Sequence, residues 1–292
     1  PAILTAHDGI RMDIGTPGPM RAPGEATGSA ALEIAMDEAA AALDLDPLEF
    51  RLRNYAETDP ASGKPFSSKA LRECYAAGAR AFGWEGRPRA PRTMRDRAGH
   101  LVGWGMGTAL FPAPFFQAEA RAVLRRDGTA TAETSAADMG QGAWTALAQI
   151  AADGLGLPAD RITFRAGSSD LPNAGTAGGS AHTASAGSAL FAAGQEAIRQ
   201  LAELALKDPD SPLFGADNTG LVAEDGRLRR ADDPDRGERY AEILARAGRD
   251  HVEGTGRGAR DRAAADGYAM FSHGAVFAEV KVDPELCQVR VS

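Results

Sequence analysis

The first third of the chain shows helical periodicity interrupted by short polar turns. Between residues 27 and 43 apolar side chains recur every three to four positions, which predicts an amphipathic helix. Asp46-Pro47-Leu48-Glu49 combines an N-cap aspartate with a proline at the first helical position, so a short helix should run to Asn54. We also predict a strand over residues 9–14 and a helix that starts at Ser67 or Ser68 and ends near Phe82.

From Leu101 onwards the pattern favours strands. Ala118–Leu124 and Thr129–Thr134 flank the turn signal Arg126-Asp127-Gly128, which predicts a β-hairpin. Residues 207–267 are polar and rich in Asp and Arg, so we expect mostly loop there apart from one helix near residues 239–247. The remaining predicted elements are helices over residues 142–152 and 185–206, a strand over residues 161–165 and a second hairpin pattern over residues 276–284.

Together these elements predict an α+β fold, in which mixed sheets pack against helices. Residues 87–97 carry five arginines and little apolar content, which is typical of a surface linker. We place the domain boundary at residues 87–100, between residues 1–86 and residues 101–292; the alternative is an ordered connection that lies over a partner surface. Gly103-Trp104-Gly105-Met106-Gly107 lacks the helix start and the lysine of a phosphate loop, so we expect a bulged, closely packed strand.

Composition narrows the classes of function. The 292 residues are 43% hydrophobic, enough for a sizeable core, and the formal net charge of -8 argues against nucleic acid or an anionic membrane as a partner. No apolar run is long enough to span a bilayer. Cytoplasm is the default compartment for a chain with two isolated cysteines. Cys74 and Cys287 form no metal or redox motif, and we expect both thiols to be buried. Because the chain starts at Pro1 and stops within a predicted strand, we expect a fragment.

Three glycine-rich turns stand directly ahead of predicted helices, at residues 21–28, 138–142 and 178–185. A helix start presents unpaired backbone N–H groups and a partial positive charge, and glycine lets a ligand approach the backbone closely. Three such starts in one chain favour a cradle for a large, anionic ligand rich in heteroatoms. Each turn taken alone is an ordinary connection.

Two side chains in these turns suggest contacts with a ligand. Arg21 stands just ahead of a helix, where the dipole disfavours a cation, so we infer a nearby anion. The alternative is a surface arginine paired with Asp13 or Glu25. Gln141 offers both a donor and an acceptor, which suit an amide-like ring edge or an oxo group. Its alternative role is that of a glutamine that satisfies the backbone of its own helix start.

The third turn carries hydroxyls and a histidine. Ser180, Thr183 and Ser185 lie at the helix entrance, and at least one of them should cap the helix. Among the five histidines only His182 lies in a glycine-rich loop, and no two histidines have the spacing of metal ligands. We therefore expect no metal held directly by protein side chains. No serine lies in a nucleophile-elbow motif, so the sequence does not indicate a serine hydrolase.

The order of these motifs resembles the molybdenum-binding subunit of the xanthine dehydrogenase/aldehyde oxidase family, above all its bacterial members with a separate large subunit. The segments that carry the resemblance are Met20-Arg21-Ala22-Pro23-Gly24-Glu25, Ala35-Met36-Asp37-Glu38-Ala39-Ala40, Asp46–Asn54, Asp138-Met139-Gly140-Gln141-Gly142 and Leu171–Ala189. No one of these motifs is specific, but their combination and order are.

The resemblance implies a molybdenum cofactor, in bacteria usually the cytosine dinucleotide of molybdopterin. It also implies hydroxylation of an aldehyde or N-heterocycle with water as the oxygen source, and electron transfer to iron–sulfur (Fe-S) and FAD partner subunits. Residues 1–86 would be the end of the first cofactor-binding half, and residues 101–292 the incomplete start of the second. A periplasmic location is the alternative if a partner subunit carries an export signal. The competing function is a non-catalytic nucleotide-binding or assembly module.

In such proteins the arginine that matches Arg21 lies near the molybdenum and the substrate. The matching cofactor-binding residues are Gly140, Gln141 and Gly142, which embrace the cofactor, and Gly179, Ser180, Ala181, His182 and Thr183, which contribute backbone and hydroxyl contacts. Two family motifs are missing, an upstream glycine-rich loop and a downstream Gly-Glu-(Ile/Leu)-Gly whose glutamate is the general base. Glu25 stands elsewhere in the pattern and does not replace it. We therefore expect the chain alone to hold part of the cofactor site and to be inactive.

Overall fold

Helices and three small sheets alternate along the chain in the computed structural model, which describes residues 6, 8–15, 18, 20–260 and 262–291. The helices are α1 (Glu25–Ala42), α2 (Pro47–Arg53), α3 (Leu71–Phe82), α4 (Ala143–Leu155), α5 (His182–Lys207), α6 (Tyr240–Arg246) and α7 (Arg262–Gly267). The strands are β1 (Leu101–Pro112), β2 (Ala118–Arg125), β3 (Ala130–Glu133), β4 (Ile162–Arg165), β5 (Leu221–Glu224), β6 (Arg227–Arg230), β7 (Gly237–Arg239), β8 (His251–Gly258), β9 (Phe271–Val282) and β10 (Val289–Val291). The predicted mixture of sheets and packed helices is confirmed.

The first sheet has the order β1-β9-β10, and helices α1 to α3 pack around it. β1 and β9 are antiparallel over their whole lengths, from Leu101 opposite Val282 to Pro112 opposite Phe271. Gly78 of α3 lies so close to Phe277 of β9 that an added Cβ would be 2.5 Å from its ring. This close approach seals a small hydrophobic core, whose buried members are Leu71, Tyr75, Trp84 and Met106.

A buried arginine holds α1 and α2 together. The side chain of Arg51 is 2% exposed and pairs with Glu33 at 2.6 Å and with Asp37 at 2.8 Å. Its guanidinium also donates to the Pro47 carbonyl at 3.0 Å. Because both carboxylates lie on α1 and the arginine lies on α2, this cluster fixes the angle between the two helices.

The second sheet has the order β4-β3-β2-β8, and α5 lies directly on it. Three alternating glycines of β8, Gly254, Gly256 and Gly258, face the backbone of α5. An added Cβ at Gly254 would be 2.5 Å from the Ala197 nitrogen and closer still to the Ala193 carbonyl. Glycine is therefore required where the helix and the strand meet, because any side chain would separate their backbones.

Helices α4 and α5 run in the same direction. An added Cβ at Gly187 would lie 2.8 Å from Ile150, and one at Gly194 would lie 2.7 Å from the Gly154 backbone. Residue numbers thus rise together along the two helices, and both helices begin at the same end of the pair. The large hydrophobic core, which includes Leu147, Leu190 and Leu201, fills the space between these helices and the second sheet.

The prediction for residues 207–267 is wrong. This stretch contains β8, the third sheet, with the order β5-β6-β7, and α7 as well as the predicted helix, which is α6. β8 pairs with β2 from Gly258 opposite Ala118 to His251 opposite Arg125. In β8 glycines mostly alternate with polar residues, so this strand lacks the alternating apolar pattern by which strands are recognised in a sequence.

Four smaller predictions are also wrong. Residues 9–14 form no strand; Ile10 is 81% exposed, and no strand among the described residues pairs with them. The third helix starts at Leu71 rather than at Ser67 or Ser68, because the Ser67 N–H donates to the Ala269 carbonyl and extends the chain there. β1 carries no bulge, since its register with β9 is continuous. The two thiols are not both buried as expected, because Cys287 is exposed in the turn before β10 and Cys74 is only half-buried.

The remaining element predictions are confirmed within one to three residues, including the hairpin of β2 and β3 and the Asp46 cap, which accepts from Leu48 and Glu49. The exception is the predicted strand that starts at Val276, because β9 begins five residues earlier, at Phe271. Residues 87–100 contact β1, because Arg87 donates to the Trp104 carbonyl and Val102 donates to the Met94 carbonyl. The proposed domain boundary there stays a prediction. In the described part of the chain, no helix combines the length and apolar character needed to cross a membrane.

Candidate cofactor site

Two of the three glycine-rich turns lie at the same end of the fold. Residues 138–142 lead into α4 and residues 178–181 lead into α5, and these parallel helices begin side by side. The N-cap residues, Gly142 and Ala181, offer no side-chain acceptor to the first helical turn. The positive ends of two helix dipoles therefore point in the same direction.

The turn before α4 is closed by its own polar groups. Asp138 Oδ1 accepts from the Gly140 N–H at 2.8 Å, and its Oδ2 accepts from the Trp144 N–H at 3.3 Å. These bonds, that of Gly140 foremost, lower the pKa of Asp138. Because the Asp138 carboxylate already offsets the positive end of this helix, the turn would not attract a ligand by charge. What it offers a ligand is glycine backbone that can be approached closely. An added Cβ at Gly140 or Gly142 would meet no atom within 4 Å.

Gln141 also bonds within this turn. Its Oε1 accepts from the Met139 N–H at 2.6 Å, and its Nε2 donates to the Ala137 carbonyl at 3.2 Å. This is the self-satisfied geometry that the sequence left open as the alternative to a ligand contact. The residue still holds the shape of the loop between Ala137 and Gly142, so its role towards a cofactor stays a prediction.

The turn before α5 encloses a buried histidine that interacts with the backbone of Thr176 but lacks a hydrogen bond of normal geometry. His182 is 7% exposed, and neither Nδ1 nor Nε2 has a partner at normal geometry in the described part of the chain. Burial lowers the pKa of His182, and the neighbouring Thr176 backbone opposes that shift only in part. A buried, unpaired polar ring is costly, so it is an observation that favours a ligand at this turn.

The hydroxyls of this turn do not cap α5, contrary to the prediction. Ala181 occupies the N-cap position, and Ser185 Oγ instead accepts from the Phe116 N–H at 2.9 Å. Ser180 adopts a left-handed backbone with φ of 57°, next to Gly179 with φ of 59°. Thr183 lines an open groove of about 520 Å³ beside α4. The first turn of α5 thus keeps its backbone N–H groups unblocked by side chains.

Arg21 lies at the start of α1, away from the two paired helix starts in sequence and packing. It is exposed, adopts a left-handed φ of 37°, and forms no ion pair with Asp13 or Glu25 among the described residues. Its neighbour Ala22 lines a cavity of about 380 Å³, together with Glu25 and His273. The structure therefore does not contain the alternative surface ion pair of Arg21. The proximity of Arg21 to an anion stays a prediction.

The segment between β1 and β2 connects the cavity with the turn before α5. Phe111, near the end of β1, lines the cavity, while an added Cβ at Gly179 would lie 3.4 Å from Pro114 and 3.9 Å from Phe116. The segment from β1 to β2 therefore contacts both regions over a few residues. Phe111 and His273 were missed at the sequence level, since neither lies in a motif that signals a site.

The residues present fit a large ligand with many heteroatoms. They combine open glycine backbone before α4, an uncapped α5 start and an unpartnered buried imidazole within one end of a helix pair. Such a surface can accept phosphate oxygens and ring heteroatoms through backbone N–H groups and the imidazole of His182.

Comparison with known proteins identifies the family of the chain. The family described as "Molybdopterin cofactor-binding domain" matches residues 77–292, and a second family of the same description matches residues 1–55. Over 212 residues the chain is 37% identical to the aldehyde oxidoreductase molybdenum-binding subunit PaoC of Escherichia coli K12, covering 71% of this chain and 29% of PaoC. It is 36% identical over 155 residues to the putative xanthine dehydrogenase molybdenum-binding subunit XdhA of the same organism, covering 50% of this chain and 20% of XdhA.

Solved structures show the same fold. Quinoline 2-oxidoreductase from Pseudomonas putida 86 superposes with a TM-score of 0.73 at 25% identity, over 91% of this chain and 36% of that chain. CO dehydrogenase from Oligotropha carboxidovorans superposes with a TM-score of 0.72 at 18% identity, over 92% and 36%, and this likeness concerns the fold alone. The chain spans less than a third of the length of the curated relatives named above. It belongs to the family of molybdopterin cofactor-binding domains found in the molybdenum-binding subunits of aldehyde oxidoreductases and xanthine dehydrogenases.

Proposed function

We propose that this chain works within the large subunit of a molybdenum hydroxylase that oxidises an aldehyde or an aromatic N-heterocycle. The observation that carries the proposal is the common end at which α4 and α5 start, with open glycine backbone before α4 and the buried imidazole of His182 at the start of α5. The cofactor, in our proposal the cytosine dinucleotide form of molybdopterin, supplies two-electron oxidation with water as the oxygen source. In this proposal electrons would pass to Fe-S and FAD partner subunits, in the cytoplasm or, if a partner carries an export signal, in the periplasm.

The chain's own residues would hold and orient this group. Gly140 and Gly142 leave room for close approach to the backbone, and Gln141 keeps their loop in shape. The α5 turn, from Gly179 to Thr183, would supply N–H donors to phosphate oxygens, and His182 a ring nitrogen. Arg21 would face developing negative charge on the substrate side.

His182 gives a test that separates binding from folding. In the complete large subunit, His182→Phe should lower the molybdenum and cytosine-nucleotide content, because a ring nitrogen is lost. The apo protein should melt no lower than wild type, since an unpaired buried polar group is replaced by an apolar ring. Normal cofactor content in a folded His182→Phe protein would remove His182 from the cofactor site.

Gln141 is tested through the cofactor content of the complete subunit. Losing one buried hydrogen bond costs about 1–3 kcal/mol, so Gln141→Ala should lower occupancy at limiting cofactor. Gln149 of α4, the helix that follows this turn, provides an exposed control amide, and Gln149→Ala should leave the content unchanged. Wild-type occupancy in Gln141→Ala would return Gln141 to the role of a helix-start residue.

Arg21 is tested by kinetics. Preorganised donors at developing charge are typically worth about 2.7–4 kcal/mol, so Arg21→Ala should reduce kcat/KM by roughly a hundredfold or more with near-normal cofactor content. Arg21→Lys should recover little, because lysine lacks the planar fork of donors. Wild-type turnover in both variants would make Arg21 a surface residue. Cofactor binding by the complete subunit without turnover of any aldehyde or N-heterocycle would favour the non-catalytic module instead.

A further inference from the structure

The connection between α3 and β1 is strongly basic; we call residues 87–97 the arginine loop. It contains five arginines and one aspartate, in a chain whose formal net charge is -8. Like charges this close along the chain repel one another, and the repulsion is relieved when negative charge comes near. The exposed arginines of the loop are Arg89, Arg92, Arg95 and Arg97.

The protein does not supply that negative charge itself. No arginine of the loop forms an ion pair with a carboxylate in the described part of the chain. Arg89 and Arg95 each donate to a backbone carbonyl, at 3.2 Å and 2.8 Å. The aspartate of the loop, Asp96, instead has its Oδ2 3.0 Å from His100 Nδ1. Because a carbonyl carries no net charge, these bonds direct the guanidinium groups without neutralising them.

The arginine loop is ordered by its contacts with the rest of the fold. The guanidinium of Arg87 lies over the Trp84 ring, 5.0 Å from its centroid. The Met94 carbonyl accepts from the Val102 N–H at 3.0 Å, which ties the loop to β1. Two prolines within the loop further restrict its backbone. A loop that is already ordered loses little conformational entropy when it binds a partner.

The charges select the chemistry of the partner. A nucleic acid or an anionic membrane is an extended polyanion and would also face the acidic remainder of this chain, which would repel it. A protein surface can meet the loop alone. Guanidinium groups match carboxylates through paired N–H donors, and arginine is enriched in protein interfaces. A carboxylate-rich patch on another protein therefore fits this loop.

We propose that the arginine loop docks onto an acidic patch of a partner subunit, whose carboxylates neutralise Arg89, Arg92 and Arg97. This inference rests on the proposed function, which supplies the Fe-S and FAD subunits as partners. The loop then attracts the partner over a distance and sets its orientation on the large subunit.

The test measures how firmly the assembled enzyme holds together. Mass photometry of the diluted complex gives the dissociation constant of the partner at about 0.1 M and about 1 M NaCl, where the screening length is about 10 Å and about 3 Å. Single exposed pairs are weak, so Arg89→Gln, Arg92→Gln and Arg97→Gln are combined in one variant. We expect the dissociation constant to rise about tenfold at the lower salt concentration and by no more than about threefold at the higher one.

A matched control removes three positive charges elsewhere. Arg53, Arg126 and Arg199 are exposed arginines that already pair with carboxylates of the same chain. The combined variant Arg53→Gln, Arg126→Gln and Arg199→Gln should dissociate like wild type. Equal dissociation constants in the loop variant and the control variant would overturn the proposal.

Two other occupants of the loop give different results. If another part of the large subunit covers the loop, the isolated variant subunit melts at a lower temperature while the complex holds its partner as wild type does. If a second copy of the large subunit covers it, the variant loses the pair of large subunits and keeps the partner. Either result would overturn the proposal.

The outcomes also separate this inference from the proposed function. A complex that contains molybdenum and oxidises aldehydes, but holds its partner equally in the loop and control variants, refutes the docking surface alone. A complex without molybdenum or turnover, whose cohesion still depends on the arginine loop, refutes the hydroxylase assignment and leaves the docking surface standing.

Discussion

The contact between α5 and β8 allows a sharp prediction, because no side chain separates the two backbones. Gly254→Ala adds one methyl group where an added Cβ would lie 2.5 Å from the Ala197 nitrogen and closer still to the Ala193 carbonyl. Ordinary contacts of carbon with backbone polar atoms are about 3.3–3.6 Å, so α5 must retreat by about 1 Å. Neither neighbour is the end of a flexible side chain, and the strain therefore falls on the helix as a whole.

The expected cost is about 1–3 kcal/mol, the usual range for inserting a methylene into a well-packed interior. The loss of glycine flexibility in the unfolded chain offsets about 0.4–1 kcal/mol of this, so the measured value should lie in the lower part of the range. The helix that moves is the one whose first turn carries His182, and cofactor content should fall together with stability.

Urea unfolding followed by circular dichroism measures the effect. The midpoint should fall while the slope with denaturant stays the same, as expected for a pure stability change. Gly105→Ala is the matched control, because Gly105 also lies in a strand but an added Cβ there would meet no atom within 4 Å. Gly105→Ala should be neutral or slightly stabilising. If Gly254→Ala unfolds at the same urea concentration as Gly105→Ala, the direct backbone contact between α5 and β8 is wrong.

Three further predictions concern single polar groups. Arg51→Met should lower the free energy of unfolding in urea by about 3 kcal/mol. This is the lower end of the usual range for a broken buried ion pair, because Glu33 keeps some access to water. Tyr240→Phe should cost about 1–2 kcal/mol in the same assay, since it leaves the Leu155 carbonyl, now bonded at 2.9 Å, without a donor; an unchanged midpoint would contradict this. Backbone hydrogen bonds lower the pKa of Asp138 in the folded protein. The ionised carboxylate therefore stabilises the turn fully above the pKa of an unfolded aspartate, about 3.9. This stabilisation is lost as the pH falls through the lower pKa of the folded state. Amide exchange of Gly140, corrected for the intrinsic rate, should therefore lose protection below pH 4, and Asp138→Ala should lose it at all pH values.

Local chemistry made part of the fold predictable from the sequence. The Asp46 cap and the proline after it specify α2 through neighbours on the chain, and Asp127 specifies the β2–β3 turn by accepting from Thr129. Such signals act over two or three residues and do not depend on the rest of the molecule. The same holds for the glycine-rich turns ahead of α4 and α5, which were recognised by composition and order.

The sequence by itself determined the elements with local caps and turns, the α+β class and the family, because these depend on residues close together or on a fixed order of motifs. Only the tertiary structure decided that β8 is a strand. Its glycines are required because α5 packs directly against them, and its pairing partner β2 lies more than a hundred residues earlier in the chain. It also decided that the turns before α4 and α5 share one end of a parallel helix pair, and that Glu25 Oε2 is enclosed beside His273. These features depend on distances between remote segments, and packing alone sets such distances.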